Sequence, residues 1–88
     1  MNPADVFRAL GDETRLEIVL FLKNGERCAC KIPEAVGKAQ PTVSQHLKIL
    51  KDAGVLKSRR DGKKIMYSVC CPDVLRIIEV SRGIKSCR

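Results

Sequence analysis

A change of hydrophobic period after residue 53 constrains the fold more than any other feature of this sequence. Val43, Leu47 and Leu50 recur at helical spacing, while the residues between them are polar or basic. Such a pattern predicts a helix with one apolar side and one polar side, over about residues 41–53. The Ala-Gly pair that follows is typical of a helix end.

A β-hairpin is predicted immediately after this helix. Two β-prone runs lie on either side of Asp61-Gly62. An Asp-Gly pair between such runs is a strong short-range hairpin signal, because both residues tolerate the positive φ that tight hairpin turns need. The hairpin should span about residues 55–69.

Four further segments have helix signals. Asn2 and Asp12 are suitable N-caps for two helices, a short third helix is expected at about Ile32 to Val36, and Pro72-Asp73 should begin a last helix. The predicted order is α-α-α-α-β-β-α in a single domain over residues 1–88. A mainly α chain with two adjacent short helices and a β-hairpin wing is a winged helix-turn-helix.

Charge is concentrated in the region of the predicted reading helix and wing. The chain has a net charge of +7. Residues 38–64 contain eight Lys or Arg against two Asp, a net charge of +6. This distribution favours binding to double-stranded DNA with a strong salt dependence. One alternative is a solvated charged face with a hairpin edge that lysines protect against aggregation, and another is a winged-helix module that contacts an acidic protein partner.

The candidate DNA contacts are polar or cationic residues on these two elements. Residues near the N-terminus of the reading helix should reach base edges, those further along should reach phosphates, and the hairpin tip should contact the backbone or minor groove. His46 is expected to pack at the rim of the helix interface. The candidates are Gln40, Thr42, Ser44, Gln45, Lys48, Arg59, Arg60, Lys63 and Lys64.

Other classes of function are disfavoured. The longest apolar run is far too short to span a bilayer, and the first residues lack the order of a signal peptide, so a cytoplasmic protein without membrane contact is expected. An enzyme is not expected, because there is no plausible carboxylate pair, phosphate-binding glycine loop or nucleophile and base pair.

Cys28 and Cys30 are the candidate sensing residues. On a regular helix, residues two apart point about 200° away from each other, so this pair can bind one ion only from an extended or irregular backbone. The pair directly precedes the short third helix. Ligand binding and the helix-turn-helix geometry would then compete for the same backbone, which is a mechanism for a switch.

Nearly the whole chain resembles the ArsR/SmtB family of metal-responsive and metalloid-responsive winged-helix repressors. The resemblance is carried by "FRALGDETRLEIVLFL", "ERCACKI" and "QPTVSQHLKILKDAGVLKSRRDGKKIMYSV". It implies a homodimer paired through the first and last helices, which binds a palindromic operator without a cofactor and leaves it when an inducer binds. It also implies operator contacts at Gln40, Pro41, Ser44 and Gln45.

The "ERCACKI" segment is similar to the E-L-C-V-C-D-L box that carries thiolate ligands in arsenic, antimony, cadmium and lead sensors of the family. The resemblance implies that Cys28 and Cys30 are metal ligands. The segment departs from the family pattern at Arg27 and Lys31, and Pro33 stands where many arsenic sensors have a third cysteine.

Two thiolates do not complete a site, since arsenite takes three sulfurs and zinc or cadmium four donors. Cys87 is the preferred additional ligand, ahead of Cys70 or Cys71, which should point to opposite sides if the hairpin strand continues through them. As(III) is the preferred inducer, with Sb(III), Cd, Pb and Zn as alternatives. A response to thiol oxidation or persulfide formation remains a second hypothesis.

Overall fold

A computed structural model describes residues 2–84 of the chain. Within that range there are five α-helices and three strands, and their order confirms the predicted winged helix-turn-helix. One of the three strands was not predicted. None of the helices in the described range is long and apolar enough to cross a membrane. The elements are α1 Pro3–Leu10, α2 Glu13–Phe21, β1 Arg27–Cys28, α3 Ile32–Val36, α4 Gln40–Asp52, β2 Leu56–Asp61, β3 Lys64–Val69 and α5 Pro72–Arg82.

The core is formed by the apolar sides of all five helices and by the start of the wing. The predicted apolar side of α4 is confirmed, because Val43, Leu47 and Leu50 are all buried. Burial of this side orients the polar side of the same helix outward. The largest fully buried side chains are Ile18, Leu22, Ile32, Leu50, Val19, Val43 and Val55.

Side-chain hydrogen bonds fix the ends of the first two helices. The predicted N-caps are confirmed: Asn2 accepts from the Ala4 amide at 2.9 Å and Asp12 accepts from the Arg15 amide at 3.0 Å. Arg15 in turn donates through Nε to the Ala9 carbonyl at 2.6 Å. One side chain therefore satisfies an unpaired carbonyl at the end of α1 and holds α2 against it.

The helix-turn-helix consists of α3 and α4, joined by residues 37–39. Gly37 has a φ of 67°, in the left-handed region that glycine adopts without a steric penalty. Its amide donates to the Pro33 carbonyl, and the Lys38 amide donates to the same oxygen at 3.2 Å. These bonds end α3 and direct the chain into α4.

The hairpin loop lies one residue later than predicted. Asp61 pairs with Lys64, so the loop is Gly62-Lys63 rather than Asp61-Gly62. The predicted loop would have placed two cations, Arg60 and Lys63, directly opposite each other, whereas the observed register opposes an acid and a base. Gly62 has a φ of 63° at the first loop position, as a type II′ turn requires.

The sheet has a third strand that sequence patterns did not predict. Arg27 pairs with Tyr67 and Cys28 with Met66, both antiparallel, which gives the strand order β1-β3-β2. A strand of two residues is too short to show the alternation by which strands are recognised. The wing is therefore attached to the segment that contains the cysteine pair.

We expect Leu50→Ala to destabilise the fold by about 2–5 kcal/mol, because Leu50 is fully buried and the remaining cavity would not close. The neighbouring Ile49 is 44% exposed, so Ile49→Ala should cost less than about 1 kcal/mol. Urea denaturation of both variants measures the difference. Equal losses would contradict the assigned apolar side of α4.

The pKa of the Asp12 carboxyl lies below its ordinary value of 3.8, chiefly because the carboxylate accepts the Arg15 amide. Because the pKa is lower in the folded state than in the unfolded state, the ionised carboxylate stabilises the fold at pH values above the unfolded-state pKa. This contribution is lost as the pH falls through the folded-state pKa. Carbon-detected NMR titration of the carboxyl should therefore show a midpoint below 3.8. A midpoint at or above that of an unfolded peptide would contradict the cap.

Candidate nucleic-acid interface and thiol site

The N-terminal half of α4 presents a polar surface. All five predicted contact residues in this part are exposed, and the buried residues of the helix lie on the opposite side. Lys48 is also exposed, and its Nζ donates to Asp52 at 2.8 Å, which raises the pKa of Lys48. The exposed residues at the N-terminal end are Gln40, Pro41, Thr42, Ser44 and Gln45.

His46 lies between helices, as predicted, rather than on this exposed surface. Its side chain is 18% exposed, its Nδ1 is 3.3 Å from Nη1 of Arg15, and the Asp12 carboxylate is 4.0 Å away. Together with the bonds from Arg15 to the end of α1, this contact connects α1, α2 and α4. The network therefore sets the position of the reading helix.

The wing presents cations at its tip. Arg60, Lys63 and Lys64 are exposed and form no ion pair with another residue of the range 2–84. Their charges are therefore available to an anionic partner. An exposed cationic tip beside an exposed polar helix is the surface that a winged helix presents to DNA.

Arg59 is placed differently from the other wing cations. Its Nε donates to Oε2 of Glu26 at 2.8 Å, and its Nη2 donates to Oε1 at 2.6 Å. The Arg59 guanidinium holds the pKa of the Glu26 carboxyl below its usual range. The two residues are 33 positions apart, so no local spacing could have indicated Glu26 from the sequence.

The sulfur atoms of Cys28 and Cys30 converge. The backbone between the two residues is irregular, as predicted for a pair that could bind one ion. Cys28 ends β1, and a single 3-10 turn, Ala29–Lys31, follows it. The two sulfur atoms are in bonding contact as a disulfide, with the Cα atoms 5.1 Å apart. The Cys30 amide also donates to the Cys28 sulfur at 3.2 Å.

The cysteine pair is connected to both halves of the surface described above. Met66 pairs with Cys28 on one side and with Arg59 on the other, so one rung of the sheet joins β1 to the wing. The 3-10 turn that contains Cys30 continues directly into α3 at Ile32. A change of backbone at the two cysteines would therefore act on the wing and on the helix-turn-helix together.

Cys70 and Cys71 lie apart from this pair. β3 ends at Val69, and beyond the strand end the sulfurs of Cys70 and Cys71 are 3.4 Å from each other rather than on opposite sides. Burial raises the pKa of the Cys70 thiol. Cys70 follows Met66, the partner of Cys28, by four residues, or about 13 Å along a strand.

No group of three or more potential metal ligands exists within residues 2–84, so neither Cys70 nor Cys71 joins Cys28 and Cys30 there. Cys87, the preferred third ligand, lies outside the described residues. The described part of one chain therefore supplies two converging cysteine sulfurs, which would be a pair of thiols when reduced, and no third donor beside them.

The fold and these surfaces define a winged-helix DNA-binding protein. Residues 12–58 match the family model for bacterial regulatory proteins of the arsR family. The chain belongs to this family of DNA-binding transcriptional regulators, which is not a family of enzymes, and the predicted resemblance is confirmed.

Curated relatives are similar over most of this chain. It is 45% identical over 78 residues to an uncharacterized HTH-type transcriptional regulator of Methanocaldococcus jannaschii, covering 88% of each chain. It is 46% identical over 79 residues to a probable mercury resistance operon repressor of Streptomyces lividans, covering 90% of this chain and 63% of the relative. The arsenical resistance operon repressor of Escherichia coli is 44% identical over 66 residues, with coverages of 74% and 56%.

A solved structure has the same fold. The homodimeric winged helix-turn-helix DNA-binding domain of a possible ArsR-family regulator from Mycobacterium bovis superimposes with a TM-score of 0.82 and 34% identity. The match covers 90% of this chain and 73% of that one. The arrangement of α3, α4 and the wing is therefore shared with a DNA-binding domain.

Proposed function

We propose that this chain is a homodimeric repressor that binds a palindromic operator and leaves it when Cys28 and Cys30 bind a soft metal or metalloid. The observation that carries the proposal is the location of the two thiols, which lie between the wing and the first helix of the helix-turn-helix. A ligand that changes the backbone there would misalign both DNA-contacting elements.

The proposed DNA contacts follow from exposure and position. The amide and hydroxyl groups at the start of α4 would reach base edges in the major groove, and Lys48 would exchange Asp52 for a phosphate. The wing tip would contact the backbone. These contacts need no bound cofactor, and the proposed set is Gln40, Pro41, Thr42, Ser44, Gln45, Lys48, Arg60, Lys63 and Lys64.

The proposed dimer interface is an apolar groove between α1 and α5. The groove is about 490 Å³ and is lined by Phe7, Ile77, Val80 and Ile84 among others. Phe7 is 59% exposed and Val80 is 70% exposed, which is unusual for large apolar side chains. The similar Mycobacterium bovis domain is homodimeric, which supports the use of this surface by a second copy.

Arsenite is the preferred inducer. Its condensation with the Cys28 and Cys30 thiols would form two As–S bonds and release two molecules of water. A third thiol, for which Cys87 of either subunit is the proposed donor, would replace the remaining hydroxyl on arsenic and release a third molecule of water. Sb(III), Cd, Pb, Zn or Hg could also use this pair, since thiolates favour soft ions.

The names of the relatives support a soft ion without selecting one. One is a probable mercury resistance operon repressor and another an arsenical resistance operon repressor. Both chains are longer than this one, which spans 63% and 56% of them. The two converging thiols are the feature of this chain on which the choice of ion depends.

A second candidate is a repressor that responds to thiol oxidation. The contact between the Cys28 and Cys30 sulfurs favours it. Exchange with a low-molecular-weight disulfide would form the intramolecular S–S bond and release two small thiols, so that electrons and protons balance. In this candidate, operator affinity would differ between the reduced protein and the protein with the Cys28–Cys30 disulfide.

We expect Lys63→Gln/Lys64→Gln to weaken binding to the chain's own promoter DNA and to reduce the salt dependence. Each lost phosphate contact should lower the magnitude of the slope of log affinity against log salt by about one. Fluorescence anisotropy over a range of salt concentrations measures this slope. Glu79→Gln, far along α5, serves as a control, and unchanged slopes for both variants would favour a protein-binding role for the wing.

We expect Val80→Glu to convert the protein from dimer to monomer, because a charge would be buried in the proposed interface. Ile49→Glu is the matched control, since Ile49 is exposed on α4 outside the α1/α5 groove. Light scattering after size-exclusion chromatography gives both masses. A dimer that survives Val80→Glu would place the interface elsewhere.

The proposed release is tested by adding arsenite, antimonite, cadmium, lead, mercury or zinc to the reduced protein on its promoter DNA. Anisotropy reports release, and the sulfur charge-transfer absorbance reports ligation. We expect release with a stoichiometric absorbance, lost in Cys28→Ser/Cys30→Ser and retained in Cys70→Ser/Cys71→Ser. If only a small disulfide releases the protein from DNA, the oxidation response is favoured. If neither the ions nor the disulfide releases it, sensing by Cys28 and Cys30 is contradicted.

A further inference from the structure

The ion pair between Glu26 and Arg59 is the one long-range bidentate contact between side chains in the described range. The other ion pairs of Arg and Lys there join residues three or four apart within a helix. Glu26 lies two residues before Cys28, and Arg59 lies in the wing. The contact therefore connects the thiol segment to a DNA-contacting element through side chains.

The backbone places the same two segments in one rung of the sheet. Met66 is the direct partner of both Cys28 and Arg59, so the wing strand carrying Arg59 is separated from the cysteine strand by one residue of β3. The β1 strand has only two residues, so its backbone hydrogen bonds alone hold it weakly. The side-chain pair spans the central strand and adds a second connection.

The geometry of the pair is suited to fixing a position. Both guanidinium contacts are short, at 2.8 and 2.6 Å, and they use both oxygens of the carboxylate. A bidentate pair defines direction as well as distance, unlike a single contact from a lysine. The Glu26 side chain is 30% exposed, less than the carboxylates of the helix pairs, whereas the Arg59 side chain is 57% exposed.

We propose that Arg59 is a positioning residue, which acts through Glu26 to hold the wing against the Cys28–Cys30 segment, and is not a phosphate contact. This reassigns one of the residues predicted from the sequence to bind DNA. The pair would transmit a change at the cysteines to the wing, because the carboxylate two residues from Cys28 moves with that backbone. The proposal rests on the proposed function, since transmission requires that the cysteines respond and the wing binds DNA.

The test compares Glu26→Gln, Arg59→Gln and the double variant with the reversed pair, Glu26→Arg/Arg59→Glu. Arg60→Gln is the control, because Arg60 is the next wing cation along β2 and has no ion pair within residues 2–84. Promoter affinity is measured by anisotropy at several salt concentrations, with and without arsenite. The ratio of the two affinities reports the coupling between the thiols and DNA.

We expect Glu26→Gln and Arg59→Gln to reduce this ratio by the same factor, roughly twofold to thirtyfold. The double variant should reduce the ratio no more than either single variant does, and the reversed pair should restore most of the wild-type ratio. Arg60→Gln should lower affinity and the salt slope but leave the ratio unchanged. A reduced salt slope in Arg59→Gln, with tighter binding in Glu26→Gln and an unchanged ratio, would show that Arg59 contacts phosphate and would overturn the proposal.

Hydrogen exchange of the free reduced protein separates failure of this proposal from failure of the proposed function. Both single variants should increase exchange of the β1 and β3 amides, and the reversed pair should restore protection, whether or not arsenite releases DNA. If arsenite does not release the wild-type protein from its promoter DNA, the proposed inducer is contradicted. Unchanged exchange in both single variants would overturn the positioning role itself.

Discussion

The pairing of the two-residue strand β1 with β3 is the contact on which the functional arrangement depends. Without it, the wing would be a hairpin joined to the domain only through β2 and α5, and the cysteines would lie on an unattached loop. With it, Cys28 has a wing residue, Met66, as its direct neighbour in the sheet. The 3-10 turn after Cys28 leads directly into α3.

This arrangement explains how a small change could have a large effect on DNA binding. The two cysteines need an irregular backbone for their sulfurs to converge, whereas α3 needs a regular one. Only Lys31 separates Cys30 from the first residue of α3, Ile32. The reading helix is positioned independently by the network of Arg15, Asp12 and His46. A ligand at the cysteines would thus shift the wing and α3 relative to a more firmly held α4.

Much of the fold could be predicted from the sequence because its signals are local. The caps Asn2 and Asp12 and the apolar spacing along α4 depend on neighbours within a few residues, and the structure confirms them. The loop register, strand β1 and the Glu26 contact could not be predicted, since each depends on a partner in another element. The wing cations could not be distinguished from one another for the same reason, although the structure ties Arg59 to Glu26.

The most direct test of this account follows the reduced, DNA-free protein by amide NMR as arsenite is added. We predict that shifts begin at the cysteines and extend through Met66 and Tyr67 of β3 to the wing, and also into α3, with no such response in Cys28→Ser/Cys30→Ser. Shifts confined to residues 27–31, with β3 and α3 unchanged, would contradict the claim that the thiol pair is mechanically connected to the DNA-contacting elements.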